Sequence, residues 1–147
     1  MRRVPAGVAV LTVDANGERL GLTVSSFVAL SLEPLLVGVS IAREAAMHEL
    51  LRDAGGFAIS LLAADQEAVA QHFARGVPPI AHWHGIAHRE GARAAPLLEG
   101  ALGWLECRVW AEWAAGDHTL FMGEVLECEL GQARPPLLYL DRRYRSL

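Results

Sequence analysis

The sequence predicts a mainly β chain with inserted helices: an antiparallel sheet, closed or partly closed into a barrel, with two helices packed outside it. Three observations carry this. Seven or eight strand-like runs follow one another, most of them joined by tight turn signals rather than by crossover helices. Helical periodicity appears in only two windows, after the third and fourth strands. The apolar content of 52% against 20% charged residues, over 147 residues, describes one ordinary domain spanning 1–147 with a real core.

Taken in order, Val8 to Val13 alternates as a strand, Asp14-Ala15-Asn16-Gly17 is a turn, and Leu20 to Ser26 returns as the second strand of a hairpin. Leu30 to Pro34 reads as a short connection, since Pro34 cannot continue a helix. Leu35 to Ile41 is almost wholly apolar, which predicts a central strand buried on both faces. From Glu44 to Ala54 the period changes. Met47, Leu50, Leu51 and Ala54 share one helical face, and Gly55-Gly56 stops the helix. Phe57 to Leu62 is the next strand, and Asp65 is placed to cap a second helix running to about Phe73. Arg75 to Ala95 has no clean period and reads mostly as a long loop. Trp104 to Trp113 alternates, with Leu105, Cys107, Val109, Ala111 and Trp113 on the core side. The opposite face mixes Trp104 and Trp110 with charge, which suits a subunit interface or a site wall. His118 to Glu129 is a long strand, and Leu137 to Leu140 a last short one before a basic tail.

The net charge of −4 argues against a nucleic-acid protein. All thirteen basic residues are Arg, so any cation that meets a phosphate is Arg or His. Cys107 and Cys128 form neither a CxxC pair nor a disulfide framework and read as buried free thiols. The N-terminus lacks the apolar core of a signal peptide, and no apolar run reaches the roughly 18 residues that span a bilayer. These features predict a cytoplasmic protein that binds neither membrane nor nucleic acid.

Chemistry gathers at three places. Gly21-Leu22-Thr23-Val24-Ser25-Ser26-Phe27 ends a strand and turns polar. Thr23 to Ser26 present backbone donors and acceptors with three hydroxyls, a lining suited to a planar heteroaromatic ligand such as a flavin; taken alone, it reads first as a Ser-rich turn at a strand end. Ser40-Ile41-Ala42-Arg43 lies where the apolar strand gives way to a helix, a place that attracts phosphate, or else holds an ordinary surface arginine. Gly116-Asp117-His118-Thr119 sets an imidazole beside a carboxylate at a hairpin mouth. His82-Trp83-His84 would put two imidazoles on one face of a strand, but no nearby Cys or carboxylate completes a metal set, and none is expected. There is no Gly-x-Gly-x-x-Gly, no Walker lysine and no nucleophile elbow.

The ordered set Gly7-Val-Ala-Val-Leu-Thr12, Gly21 to Phe27, Ser31-Leu-Glu-Pro-Leu-Leu36, Phe57-Ala-Ile-Ser-Leu-Leu62, Gly116-Asp-His118 and Pro-Leu-Leu-Tyr139 resembles the short-chain flavin reductases, the reductase components of two-component flavin monooxygenases. The resemblance covers nearly the whole chain. It implies an FMN-binding split β-barrel, antiparallel and of Greek-key type, that dimerises and uses NADH or NADPH to reduce FMN or FAD. Hydride would pass from nicotinamide C4 to flavin N5, and the reduced flavin would diffuse to a partner monooxygenase. On the same basis Thr23, Val24, Ser25 and Ser26 would line the ring edge and ribityl chain. Ser40, Ile41, Ala42 and Arg43, with Ala46 and Met47, would sit at the phosphate end. Phe73 and Ala74 would close over the flavin, His118 would be the catalytic residue near both rings, and Tyr144 would shape the nicotinamide pocket. Three features depart from the family: only Met1 to Pro5 stands where a leading helix is usual, which suggests a truncated or late start; Ala45-Ala46 replaces frequent hydroxyl residues; and the His82-Trp83-His84 loop has no counterpart. The alternatives to a reductase are an FMN-retaining electron carrier of the flavoredoxin kind and a non-enzymatic barrel that has lost flavin.

Overall fold

The structure is a computed structural model that describes residues 2–93 and 95–147. Its central feature is β2 (Ala9–Ala15), whose residues from Ala9 to Val13 are all essentially inaccessible. Alternation along a strand sends Leu11 and Val13 to one face and Val10 and Thr12 to the other. Leu11 and Val13 join the larger core, with Val39, Leu51, Ile59 and Phe121. Val10 joins a second core, with Leu62, Phe73, Leu98 and Leu137. The strand buried on both faces is therefore β2 and not Leu35 to Ile41, as the run of apolar residues there had suggested.

Around the larger core runs a seven-stranded, wholly antiparallel sheet. β2 pairs with β3 (Glu18–Val24) through the two-residue turn Asn16-Gly17. Both turn residues have positive φ, and the Asp14 carboxylate accepts from the Gly17 N–H at 2.8 Å. On its other edge β2 pairs with β6 (Gly56–Leu61), followed by β9 (Gly103–Ala115), β10 (His118–Leu130), β5 (Leu35–Ala42) and β4 (Val28–Leu32). The stretch expected to be a short connection before Pro34 is thus strand β4, hairpinned onto β5. Because β2, β3, β5, β6, β9 and β10 all contribute to one core cluster, the sheet curls into a barrel. Helix α1 (Ala46–Ala54) packs on β2, β3, β5 and β6 with Met47, His48, Leu50 and Leu51 buried, and Gly55 ends it.

The outer layer comprises α2 (Glu67–Ala74), which packs on β3 and β2, and a three-stranded sheet of β1 (Ala6–Gly7), β11 (Leu137–Leu140) and β12 (Arg143–Ser146). The basic tail is therefore strand β12, not an extension. Asp65 does not cap α2: it lies in a 3-10 turn and pairs with Arg134 at 2.7 Å, while Gln66 Oε1 accepts from the Ala63 N–H. The long loop after α2 contains a small hairpin, β7 (His88–Glu90) with β8 (Pro96–Leu98). Cys107 is buried as expected, and burial pushes its thiol up to about 12; Cys128 is exposed, contrary to expectation. Among the described residues no helix is long and apolar enough to cross a membrane.

A bulge corrects the expected alternation in β9. Gly123 opposes Val109 and Met122 opposes Ala111, so Trp110 is an extra residue and the side-chain phase reverses there. Cys107 and Val109 point into the core, but beyond the bulge it is Glu112 that shares a face with core Phe121, and Trp113 turns outward opposite Leu120. Trp104, the other aromatic assigned to an interface face, instead packs on Ala58, Ala95 and Leu97.

At Gly123 the interior leaves no room for a side chain. A Cβ there would lie 2.4 Å from the Phe57 ring and 2.8 Å from Cys107 Cβ. Gly123→Ala is expected to lower the stability by about 1–3 kcal/mol, the usual range for overpacking, read as a lower urea midpoint at unchanged slope.

Candidate functional site

β3 ends at Val24, and the next two residues bridge the mouth of the barrel. The Ser40 N–H donates to Ser26 Oγ, and the Ser26 hydroxyl donates to the Ser40 carbonyl, both at 3.1 Å. This pair joins the end of β3 to the end of β5, strands that are distant in the sheet order. Two groups of side chains meet at the seam.

The first group forms a cleft of about 170 Å³ lined by Val8, Thr23, Ser25, Ala74, Tyr139 and Tyr144. Thr23 Oγ1 donates to the Ala70 carbonyl at 2.7 Å, which holds α2 against β3. The Ser25 hydroxyl makes no hydrogen bond among the described residues and is exposed to the cleft. Tyr139 and Tyr144 oppose each other across the β11–β12 hairpin with ring centroids 5.3 Å apart. Burial, with Tyr139 and Glu67 nearby, raises the Tyr144 phenol above its ordinary value, so it stays a neutral donor.

The second group is a polar corner. The Arg43 N–H donates to the Asp117 carbonyl at 3.0 Å, and Ala42 opposes His118 in the β5–β10 register. His118 Nδ1 lies 2.7 Å from Asp117 Oδ1, an arrangement that leaves Nε2 for a ligand. The hydrogen bond from His118 holds the Asp117 carboxyl below its usual range, with Arg43 adding to the effect. Arg43 itself is exposed and forms no ion pair among the described residues. Ala45, where a capping hydroxyl would stand, supplies no side-chain cap to α1; the His48 N–H donates to the Ala45 carbonyl at 2.9 Å, and those of Ala46 and Met47 remain open to an anion.

The structure thus brings together Thr23, Ser25, Ala74 and Tyr144 on one side of the seam, and Ser40, Ala42, Arg43, Ala46 and His118 on the other, with Ser26 as the link. Val24, Ile41 and Met47 have buried side chains, so only their backbone can meet a ligand. Phe73 is a correction. Its ring is buried and lies directly on the backbone of Gly21, where a Cβ would come within 2.5 Å, so it supports the strand from behind and only Ala74 reaches the cleft. Sequence reasoning missed Tyr139, which alternation along β11 places beside Tyr144, and the buried His48, whose Nε2 lies 2.7 Å from Thr119 Oγ1.

His82 and His84 do not share a strand face: both lie in turns, not a strand, and His84 is exposed. His82 is buried, and its Nε2 accepts from the Gly21 N–H at 2.8 Å. Its ring packs on Phe73 and Trp83, pinning the long loop to the strand that leads into the site. Among the described residues no three His, Cys, Asp or Glu side chains come together in a way that could hold a metal ion. Desolvation lowers the His82 pKa below the ordinary histidine value, with nearby His72 adding to it. The folded chain therefore binds fewer protons than the unfolded one below that value, and stability falls as pH drops through the window from about 6.5 down to the lowered folded pKa. The carboxylates with lowered pKa values, Asp14, Glu112 and Asp117, lose their contribution only as pH falls through about 4.5 and below. The melting temperature is expected to fall between about pH 6.5 and 5, and His82→Asn to flatten that slope, as measured by calorimetry across the range.

A family model described as "Flavin reductase like domain" matches residues 1–147. The reductase component of 4-hydroxyphenylacetate 3-monooxygenase from Thermus thermophilus is 42% identical over 147 residues, covering 100% of this chain and 92% of that protein. An NADH-dependent FAD reductase from Streptomyces globisporus is 38% identical over 152 residues, with 99% and 83% covered. Among solved structures, the flavin reductase component of a bacterial two-component tryptophan halogenase superposes with a TM-score of 0.94 at 38% identity, covering 99% of this chain and 92% of that one.

Proposed function

The chain belongs to the flavin reductase-like domain family, and from that membership we propose that it is an NADH-dependent flavin reductase, acting on FMN or FAD and releasing the reduced flavin to a partner flavin-dependent monooxygenase. One observation carries the reading: the hydroxyl-bearing strand end Thr23–Ser26 spans from an aromatic cleft to the corner where Arg43 and His118 stand.

This donor set fits a flavin. The ring edge alternates donors and acceptors, and the Val24 to Ser26 backbone with the free Ser25 hydroxyl supplies both kinds. The phosphate end needs positive charge, which Arg43 and the uncapped start of α1 provide. When bound, flavin supplies the acceptor for a hydride from nicotinamide. The chain's part is orientation and shielding. Tyr139 and Tyr144, their rings tilted by 60° to each other, wall the cleft beside Ser25 and offer an aromatic face against which a nicotinamide can stack. Asp117 holds His118 by Nδ1, so that Nε2 is available to hydrogen-bond the ring as its charge changes. The relative that is an NADH-dependent FAD reductase favours NADH as donor. A cytoplasmic location fits both the NADH requirement and two free thiols.

NADH oxidation, followed by absorbance with FMN, FAD or riboflavin added, tests this. Turnover is expected to saturate with added flavin. Arg43→Ala is expected to raise KM about tenfold for FMN and FAD, equal to ~1.4 kcal/mol of phosphate contact, and to leave riboflavin, which has no phosphate, unaffected. No oxidation with any of the three by the folded protein overturns the proposal.

We also propose that the chain is a homodimer. Val28, Leu30 and Leu120 surround Gly38 on the outward face of β4, β5 and β10, and Trp113, 64% exposed, stands opposite Leu120. Monomers rarely leave such a face in water. Alternation puts Ser40, Ala42 and His118 on the same face, so a second copy seated there would also wall the site. The cleft's 170 Å³ is below the roughly 300 Å³ at which small-molecule sites begin, as a site completed by a partner would be. Sedimentation is expected to give twice the chain mass, and Trp113→Asp to give monomers with reduced flavin turnover; a wild-type monomer that is fully active would refute the dimer.

A further inference from the structure

We propose that His48, through its buried hydrogen bond to Thr119, is a positioning residue that sets the separation between the two ends of the flavin site. The inference rests on the flavin reductase reading, because it takes Arg43 and the start of α1 as the phosphate end and His118 as a group at the ring.

Each partner in this bond follows directly on a group that meets the ligand. The open N–H groups at the start of α1 belong to Ala46 and Met47, and His48 is the next residue. His118 opens β10, and Thr119 comes after it. Alternation turns His118 outward to the site and Thr119 inward, where it is 3% exposed. His48 is 2% exposed, and its Nε2 lies 2.7 Å from Thr119 Oγ1. One buried bond therefore ties the helix turn proposed for the phosphate to the strand that carries the imidazole. The backbone makes a tie of its own nearby, from the Arg43 N–H to the Asp117 carbonyl, but that tie stops at the end of β5. The helix begins only after the connection Arg43 to Ala45. His48 carries the link on to α1 itself, and its ring meets Phe121 of β10 edge-on with centroids 5.2 Å apart.

The chemistry of the pair sets it apart from the packing around it. The rest of the buried face of α1 is Met47, Leu50 and Leu51. These hold the helix on the barrel without fixing its register, because apolar contact has no direction. A hydrogen bond works only within a narrow range of distance and angle. The His48 ring is committed at both nitrogens. Nδ1 lies 2.9 Å from Glu49 Oε1, and a carboxylate only accepts, so Nδ1 carries a hydrogen. Nε2 of the neutral ring then accepts from the Thr119 hydroxyl. A register fixed in this way matters for a ligand held at two points. FMN engages Arg43 and the ring contacts together only when the two ends of the site stand at the right separation. Riboflavin, which has no phosphate, does not sense that separation.

The test compares the KM for FMN with that for riboflavin in NADH oxidation by the full chain, and records the melting temperature alongside. The variants are Thr119→Val, Thr119→Ser, and Thr119→Val combined with His48→Leu. The wild-type chain is expected to favour FMN about tenfold through its phosphate contact. Thr119→Val keeps the shape of the side chain and removes the bond, and the preference is expected to fall to about twofold or less. Thr119→Ser keeps the hydroxyl and is expected to retain the preference within about twofold of wild type. The combined variant removes both polar partners, so its melting temperature recovers toward wild type while its preference stays low. A preference that returns with stability in the combined variant, or that neither valine variant lowers, overturns the inference and leaves the pair a packing contact. Loss of the preference in Thr119→Ser overturns it as well. A wild-type chain that turns over both flavins without preference refutes the phosphate end at Arg43, and the inference with it. Absence of turnover with any flavin by the wild-type chain refutes the reductase reading itself.

Discussion

The rest of the molecule depends on the burial of β2 on both of its faces. A strand that excludes water on two sides needs two cores. Leu11 and Val13 require the barrel, and Val10 with Val8 requires α2, Leu98 and β11. The outer layer is thus no decoration on a self-sufficient barrel. It covers one face of the strand from which β3 is hung, and β3 ends in the residues that line the cleft. Each fully buried aliphatic side chain contributes about 1.5–3 kcal/mol, so uncovering Val10 and Val8 would cost more than any single polar contact at the site. The same layering explains why Phe73 belongs behind Gly21: glycine lets the ring rest on the backbone, and that contact sets where α2 ends and where Ala74 meets the cleft.

The site follows from a break in the sheet. β3 and β4 are its two edges, and the residues between them must cross the barrel mouth. A strand pair would satisfy the backbone there; instead the Ser26 hydroxyl serves as donor and acceptor to Ser40. Replacing ladder bonds with one side chain leaves neighbouring backbone groups free, and free backbone groups with mixed polarity are what a flavin edge requires.

Much of this was legible in the sequence, and the failures have physical causes. Period and turn signals located both helices, the Asn16-Gly17 hairpin and every strand of the main sheet except β4, which read as a connection. It misjudged β5 because an apolar run reports hydrophobic surroundings without saying whether the cover comes from this chain; the outward side of β5 carries Gly38 and Ser40 beside exposed Val28 and Leu30. It misplaced Trp113 and Glu112 because one inserted residue, Trp110, reverses every side chain after it, and a bulge leaves no composition signal. The hydroxyl run at Thr23 to Ser26 was visible as chemistry. That Ser26 is spent on closing the barrel while Ser25 stays free could come only from knowing that Ser40 lies opposite. The sequence argued against a metal set at His82-Trp83-His84 but assigned the segment no role; in three dimensions His82 is a core residue bonded to backbone, and its role is to dock a loop.

A reductase that hands its product to another protein must hold flavin firmly enough to orient it and loosely enough to lose it. The proposed site divides these demands. Orientation comes from rigid parts: backbone at a strand end, a histidine fixed by its neighbour, and two tyrosines opposed across a hairpin. Affinity comes from parts that water can reach, such as the exposed Arg43 and Ser25. An exposed cation contributes far less than a buried one, since solvent screens it and its side chain loses freedom on binding. Burying Arg43 would strengthen the phosphate contact and slow release of the reduced flavin with it. On the proposed function, the exposure of Arg43, unpaired among the described residues, is therefore a condition of turnover, and the proposed dimer would bring shelter to the outward sheet face beside His118.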